Sequence, residues 1–291
     1  SVTITPHDLK LTEQTLDVGL TKVSITAGTL TFDGDPGAVA DAVVAAIGQG
    51  SPLATQDMTA MHDQIAQSLT LPYTLDFADE DTWDGNPFYL VTVREGRGWY
   101  ISPLMTLGDY MLVDTGFQRG SIPRDVDVAH PATPEDAAQQ LAAAIPPLVK
   151  GDSGPLAAVL PEAERRFVAV YLQPLIDRST ADGATVDLSL TASDFDVVDR
   201  TADRASVVPT NLAFTLVDNG VSGTISFDGD CLAGTADDGS ADFGGCISDV
   251  PLLTELGLDH PALVTVKEDG GWYVSSIGTV AELSRVAGEN I

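Results

Sequence analysis

The sequence predicts an α+β chain of two tandem modules, each a curved antiparallel sheet packed on helices. Three observations carry this expectation. A strand–turn–strand segment recurs together with its tail, and apolar residues alternate with period two over long stretches of both halves. Blocks with helical spacing and helix-start chemistry stand apart from those stretches.

The recurrence is the strongest of the three. Leu90-Val91-Thr92-Val93-Arg94-Glu95-Gly96-Arg97-Gly98-Trp99-Tyr100-Ile101-Ser102 returns as Leu263-Val264-Thr265-Val266-Lys267-Glu268-Asp269-Gly270-Gly271-Trp272-Tyr273-Val274-Ser275. Of the 24 positions from Leu90 to Val113 and from Leu263 to Val286, 11 are identical. Leu-Val-Thr-Val alternates and is β-branched, a strand signature. Glu-Gly-Arg-Gly and Glu-Asp-Gly-Gly supply positive φ at little steric cost. Trp-Tyr-Ile/Val-Ser resumes a strand, so each copy ends in a hairpin, and Asp109 or Glu282 lies in a short closing helix. Trp99 and Trp272, with Tyr100 and Tyr273, are read as structural anchors of the core, a ligand platform being the alternative for the tryptophans. A second echo joins Phe32-Asp33-Gly34-Asp35 to Phe227-Asp228-Gly229-Asp230 in the same order, as a duplicated module requires.

In the second copy a helical block comes first. Thr133-Pro134-Glu135-Asp136 combines a hydroxyl N-cap, proline at the first helical position and acids in the first turn. Leu141, Ile145 and Leu148 follow at helical spacing, and Pro146-Pro147 is expected to stop the run. Pro161-Glu162-Ala163-Glu164 opens another helix with Phe167, Val170 and Tyr171 on one face. After Asp182-Gly183 the period becomes two at Val186, Leu188 and Leu190. Two more strands carry Leu212, Phe214, Leu216 and Val221, Ile225, Phe227. The first copy opens directly on strands at Val2 to Ile4 and Val23 to Phe32. Its helices come later: Asp35 caps Pro36 to Ile47, and Met58, Met61, Ile65 and Leu69 mark another. They are expected where the second copy has its cysteine loop. An upstream helical block removed from the chain, or an altered topology, accounts for the difference. The join falls in Asp114 to Pro131, giving modules 1–128 and 129–291, each large enough for its own core.

Composition limits the partners. Across 291 residues, 43 acidic side chains oppose 14 Lys+Arg, a net charge of -29. That field repels phosphate backbones and anionic lipid heads, which argues against nucleic acid and against direct membrane-surface binding. No apolar run approaches the roughly 18–20 residues that span a bilayer. The opening Ser1-Val2-Thr3-Ile4-Thr5 has no basic or apolar leader, so the chain reads as a processed or truncated piece with its targeting segment upstream. Cys231 and Cys246 lack a CxxC spacing and a nearby His. A disulfide closing a surface loop is the simplest account, two buried thiols the alternative; a disulfide favours an exported chain.

With these residues the chain resembles a recurrent actinobacterial type: membrane-anchored or lipoprotein-like extracytoplasmic proteins with tandem NTF2-like (cystatin-like) domains of unassigned function. The likeness rests on Thr133-Pro134-Glu135-Asp136-Ala137, Leu160-Pro161-Glu162-Ala163-Glu164, Phe227-Asp228-Gly229-Asp230-Cys231 with Cys246, and Gly270-Gly271-Trp272-Tyr273-Val274-Ser275. It covers Thr133 to Val286 well and the first copy only through its strands and hairpin; that copy has no cysteines. It implies compartment and fold but no reaction.

No catalytic set emerges. Gly151-Asp152-Ser153-Gly154-Pro155 is similar to the nucleophile motif of chymotrypsin-like serine proteases. That chemistry needs a His base, a buried Asp and an oxyanion hole. Here the motif joins two predicted helices and is read as a turn. His7, His62, His130 and His260 form no i, i+4 pair, and no metal or cofactor is assigned. Asp228, Asp230, Asp237, Asp238 and Asp242, and in the first copy Asp76, Asp79, Glu80, Asp81 and Asp84, are acid-rich loops that could hold Ca²⁺. They lack EF-hand spacing and are read as solvated. Tyr171 and Phe214 are the candidate ligand-lining residues. The expected function is non-enzymatic: an extracytoplasmic envelope protein binding an apolar small molecule or a protein partner through concave sheets or a groove between the copies. Its alternatives are a spacer without ligand and an NTF2-like pocket enzyme of isomerase or dehydratase type, with Tyr171, Tyr100 and Tyr273 lining its pockets. The oligomeric state is left open.

Overall fold

A computed structural model describes residues 2–41, 55–79, 87–113, 116, 118–122, 128–180, 186–218, 220–240 and 242–290. The chain is α+β with two antiparallel sheets, one of them strongly curled. It divides into two compact units, residues 1–116 and 117–290.

In the first unit β1 (Val2–Asp17) and β2 (Leu20–Gly34) form a long hairpin. The free edge of β2 is shared. Its end, Thr29–Phe32, pairs with β3 (Tyr73–Asp76), and its start, Leu20–Ser24, pairs with β4 (Tyr89–Glu95). β4 continues the sheet to β5 (Gly98–Ile101). Both hairpin strands run well beyond the expected limits. The described side chains of β1 are almost all exposed, so it has no wet and dry face and no period to betray it. Midway, Asp8 and Leu9 bulge opposite Gly28. A Cβ on Gly28, whose φ is +101°, would meet the His7 and Asp8 carbonyl oxygens at 2.7 Å. Helical residues 36–41 follow β2, and Gly37 N–H donates to the Asp35 carboxylate at 3.0 Å, as the cap requires. Val43, Val44 and Ile47 lie outside the described residues. α1 (Thr55–Ser68) precedes β3, and α2 (Pro103–Val113) closes the unit. Leu20, Val91, Val93, Met105 and Leu112 are the buried core between sheet and α2.

The second unit begins with helices. α3 (Pro134–Val149) starts as expected, Thr133 Oγ1 accepting the Asp136 amide at 3.2 Å. It does not stop at Pro146-Pro147: both prolines lie in its last turns, where their fixed φ suits the helix. The chain closes there through the Lys150 amide, which donates to the Pro146 and Pro147 carbonyls. α4 (Gly154–Ala158) and α5 (Glu162–Phe167) follow, then a π-turn over Val168–Leu172 and α6 (Gln173–Thr180). The hairpin of β6 (Asp187–Arg200) and β7 (Arg204–Asp218) comes next, then β8 (Val221–Phe227), β9 (Cys231–Ala236) and β10 (Asp242–Cys246). α7 (Pro251–Glu255) leads to β11 (Leu263–Glu268), β12 (Gly271–Ser275) and α8 (Ser276–Glu289). The strand order is β10-β9-β8-β7-β11-β12, with β6 on the other edge of β7.

The two units share one plan residue by residue. Leu90–Val93 pair with Val23–Leu20 just as Leu263–Val266 pair with Val207–Arg204. Arg94 opposes Trp99 where Lys267 opposes Trp272. The Arg94 amide donates to the Gly19 carbonyl at 2.8 Å, and the Lys267 amide to that of Asp203 at 2.8 Å. The recurring Ser and Thr do the same job twice. Thr106 Oγ1 donates to the Ser102 carbonyl and accepts the Val91 amide; Thr279 Oγ1 does so with Ser275 and Val264. These bonds tie the closing helix to the first strand of the hairpin.

Two expectations fail against this alignment. β2 corresponds to β7, so Phe32 at the end of β2 is not the counterpart of Phe227 at the end of β8. The four-residue echo is therefore out of phase. Helical residues 36–41 and α1 of the first unit lie between β2 and β3, whereas β7 ends at Asp218 and β8 begins at Val221; they do not replace the cysteine loop, which lies after β8. Acid, Gly and a preceding aromatic end strands generally, and such short matches arise without shared position.

The start of α8 is held by a buried carboxylate. Glu164 accepts from Ser275 Oγ at 2.7 Å and from the Ser276 amide at 2.7 Å, a charge at a helix N-terminus. Glu164→Ala is expected to lose about 2–3 kcal/mol, since buried donors are left unpaired. Urea unfolding with an unchanged midpoint would remove this role.

Candidate functional site

The structure separates the expected anchors. Trp272 and Tyr273 are 2% and 1% exposed, whereas Trp99 and Tyr100, at the same hairpin positions, are 51% and 55% exposed. Trp99 and Tyr100 are thus not core residues. The physical reason is what lies over them: α3 covers Trp272, through Ala137 and Leu141, and the described residues of the first unit include no counterpart of α3. Tyr273 Oη meets His130 Nδ1 at 3.0 Å, and the Arg165 guanidinium lies over its ring. Burial pushes the Tyr273 phenol above its ordinary range.

Tyr171 is 1% exposed and packs on Phe167, with ring centroids 5.5 Å apart; Phe214 is half-buried on β7 between Leu190 and Ile225. Neither lines the two cavities described next.

In the second unit a cavity of about 640 Å³ opens beside Ser153, Arg165, Gln173 and Asp177. Its polar groups are committed to one another. The Ser153 hydroxyl and amide both donate to Gln173 Oε1, while Gln173 Nε2 donates to the Gly151 carbonyl at 2.9 Å and to Asp177 at 2.6 Å. Arg165 is spent on the Ala157 and Leu160 carbonyls. A carboxamide cannot take a proton from the serine, so the group to which Ser153 donates is not a general base. The Gly-Asp-Ser-Gly segment is the turn between α3 and α4, with Asp152 accepting the Gly154 amide.

The cavity of the first unit has the opposite character. About 630 Å³ is lined by Phe32, Val39, Leu69, Leu71, Tyr73 and Leu75, with hydroxyls from Ser68, Thr70 and the Tyr73 phenol. Its size falls within the range of small-molecule sites, and an apolar wall with few polar groups is their usual chemistry. Three elements position it: the end of β2, helical residues 36–41, and the segment from the end of α1 into β3. The sequence reading missed these residues. Leu69, Leu71, Tyr73 and Leu75 do alternate, but alternation marks a one-sided strand and says nothing of whether that side meets a core or a void.

The acid-rich cysteine loop is locally satisfied. Cys231 and Cys246 form the expected disulfide and oppose each other across β9 and β10. Asp228 accepts the Cys231 amide at 2.7 Å and then that of Asp230, which hold its carboxyl below the usual range. The Ser248 hydroxyl and amide, at 2.6 and 2.9 Å, do the same for Asp230, and Ser240 does so for Asp238. Among the described residues, Asp230 with Cys231 and Cys246 is the sole close grouping of three metal-ligand types, and both sulfurs are bonded to each other. Glu80, Asp81 and Asp84 lie outside the described residues. His62 lies against Asp41 and Asp63, each at 3.2 Å, and the Asp63 hydrogen bond raises its pKa. His260 stands 3.9 Å from Asp259.

Among the described residues no helix is long and apolar enough to cross a membrane. Comparison with family models, curated proteins and solved structures finds no match to this chain.

Proposed function

We propose that this protein is a non-enzymatic extracytoplasmic binding protein that holds an apolar small molecule in the cavity of its first unit. The observation that carries the reading is the wall of that cavity, six apolar or aromatic side chains around about 630 Å³. The disulfide supports an oxidising compartment. The commitment of Ser153 to a carboxamide counts against a hydrolase at the other cavity. The same reading takes the two units as copies of one NTF2-like (cystatin-like) module of an envelope protein, supported by their matched strand register and repeated Ser–Thr bridge.

The test is saturable uptake of Nile red by the full chain, with native mass spectrometry for a copurifying adduct. Leu71→Glu is expected to weaken uptake by about tenfold or more, a charge in an apolar wall being costly, and Trp99→Glu to leave it unchanged. A bare mass together with no saturable uptake would sink the proposal and favour a spacer.

A further inference from the structure

The cavity of the first unit is as notable for its missing charge as for its apolar wall. In a chain of net charge -29, no Asp, Glu, Lys or Arg lines it among the described residues. Strand register gives the reason. Phe32 opposes Tyr73, and Leu30 opposes Leu75, so these four side chains share one face of the sheet. Thr31 opposes Thr74 and Thr29 opposes Asp76 on the other face, where the two threonine hydroxyls meet at 3.2 Å. Asp33, one residue past Phe32, falls on that far face too. Alternation thus sends the apolar and aromatic side chains to the cavity and both acids away from it.

The remaining charges nearby are engaged elsewhere. The Asp35 carboxylate accepts the Gly37 amide, and His62 holds Asp41 at 3.2 Å. The lysines of the long hairpin lie further along it: Lys10 opposes Ala27, and Lys22 sits over the Tyr89 ring at 3.5 Å. An anionic ligand would therefore lose its water in this cavity without gaining a cation, inside a field that already repels it. An ammonium would find no carboxylate on the wall. What the wall does offer is hydroxyls. The proton of Ser68 Oγ is given to the Ile65 carbonyl at 2.9 Å, so toward a ligand this oxygen is an acceptor.

We infer that the cavity of the first unit selects an uncharged alcohol with a large apolar body over carboxylates and ammonium ions of the same body. The inference rests on the reading of this cavity as a ligand site, and it assigns the ligand's class from the charge and hydrogen-bonding character of the wall.

The experiment is displacement of Nile red from the full chain at pH 8 by decanol, decanoate, decylammonium and decyl methyl ether. Decanol is expected to compete about tenfold or more better than either ion. It should exceed the ether by about fivefold, since the ether has no proton to donate. Thr70→Lys, at an exposed position of the wall, is expected to improve competition by decanoate about threefold or more while Nile red uptake persists. That arm separates wall charge from the ordinary hydrophobicity of the probes. Either ion matching decanol overturns the inference, as does an ether equal to decanol or decanoate indifferent to Thr70→Lys. In each of those cases Nile red still binds and the cavity remains a ligand site; no saturable Nile red uptake removes both readings together.

Discussion

Trp272→Ala is expected to cost the second unit about 3–5 kcal/mol, the range for deleting a buried tryptophan. Trp99→Ala, at the same place in the repeat, is expected to cost less than about 1 kcal/mol. Trp272 fills the space between Ala137, Ala205 and Val274, with Arg200 over its ring at 5.2 Å and Lys267 at 5.9 Å. Its removal leaves a cavity that close-packed alanines cannot fill, since they have no longer rotamer to extend. Trp99 has water over half its surface, so its loss opens no void. Urea unfolding followed by far-ultraviolet circular dichroism makes the comparison, with separate transitions fitted for the two units. Equal costs for the two substitutions would show that α3 is not what distinguishes them.

Replacing Cys231 and Cys246 together with serine is expected to lower stability by about 3 kcal/mol, the loop-entropy value for a separation of 15. The bond ties β9 and β10, the last two strands at one edge of the sheet, where β9 begins and β10 ends. The side chains of β10 are largely exposed, so little burial offsets the freed chain. Asp228 and Asp230 keep the start of β9 ordered through their amide contacts, and the loss falls mainly on β10. Amide exchange should therefore rise at Asp242–Cys246 well before it rises in β7. Unchanged exchange there, with an unchanged melting temperature, would show that the strand pairing alone suffices.

What was legible in the sequence is what depends on neighbours along the chain. The hairpin of Leu263 to Ser275 announces itself because β-branched alternation and an Asp-Gly turn are local; Asp269 and Gly270 take positive φ as that turn demands. Thr133 and Pro134 begin α3 for equally local reasons. Only three of the sixteen residues of β1 are legible as strand, because an outer strand wetted on both faces has no reason to alternate. The π-turn at Val168–Leu172 left no signal, since its extra residue is absorbed by packing of Val168, Val170 and Tyr171. The opposite fates of Trp99 and Trp272 were illegible for a stronger reason. The two hairpins share the Trp-Tyr pair, and what covers Trp272 is a helix far away in sequence. The apolar cavity likewise belongs to three segments that meet only after folding.

The bulge in β1 also bears on how these molecules behave in a crowd. A sixteen-residue outer strand is a template on which another chain can zip, and such edges seed aggregation. Here Pro6 removes one donor from that edge, and Asp8, at φ +47°, swings the following backbone out of line. Lys10, Asp17 and Glu13 add charge along the rest. A net charge of -29 makes every approaching copy a repelling one. Repulsion of this size is expected to keep such an edge from pairing with a second copy, and colloidal stability should fall most steeply when salt screens that charge or acid neutralises it.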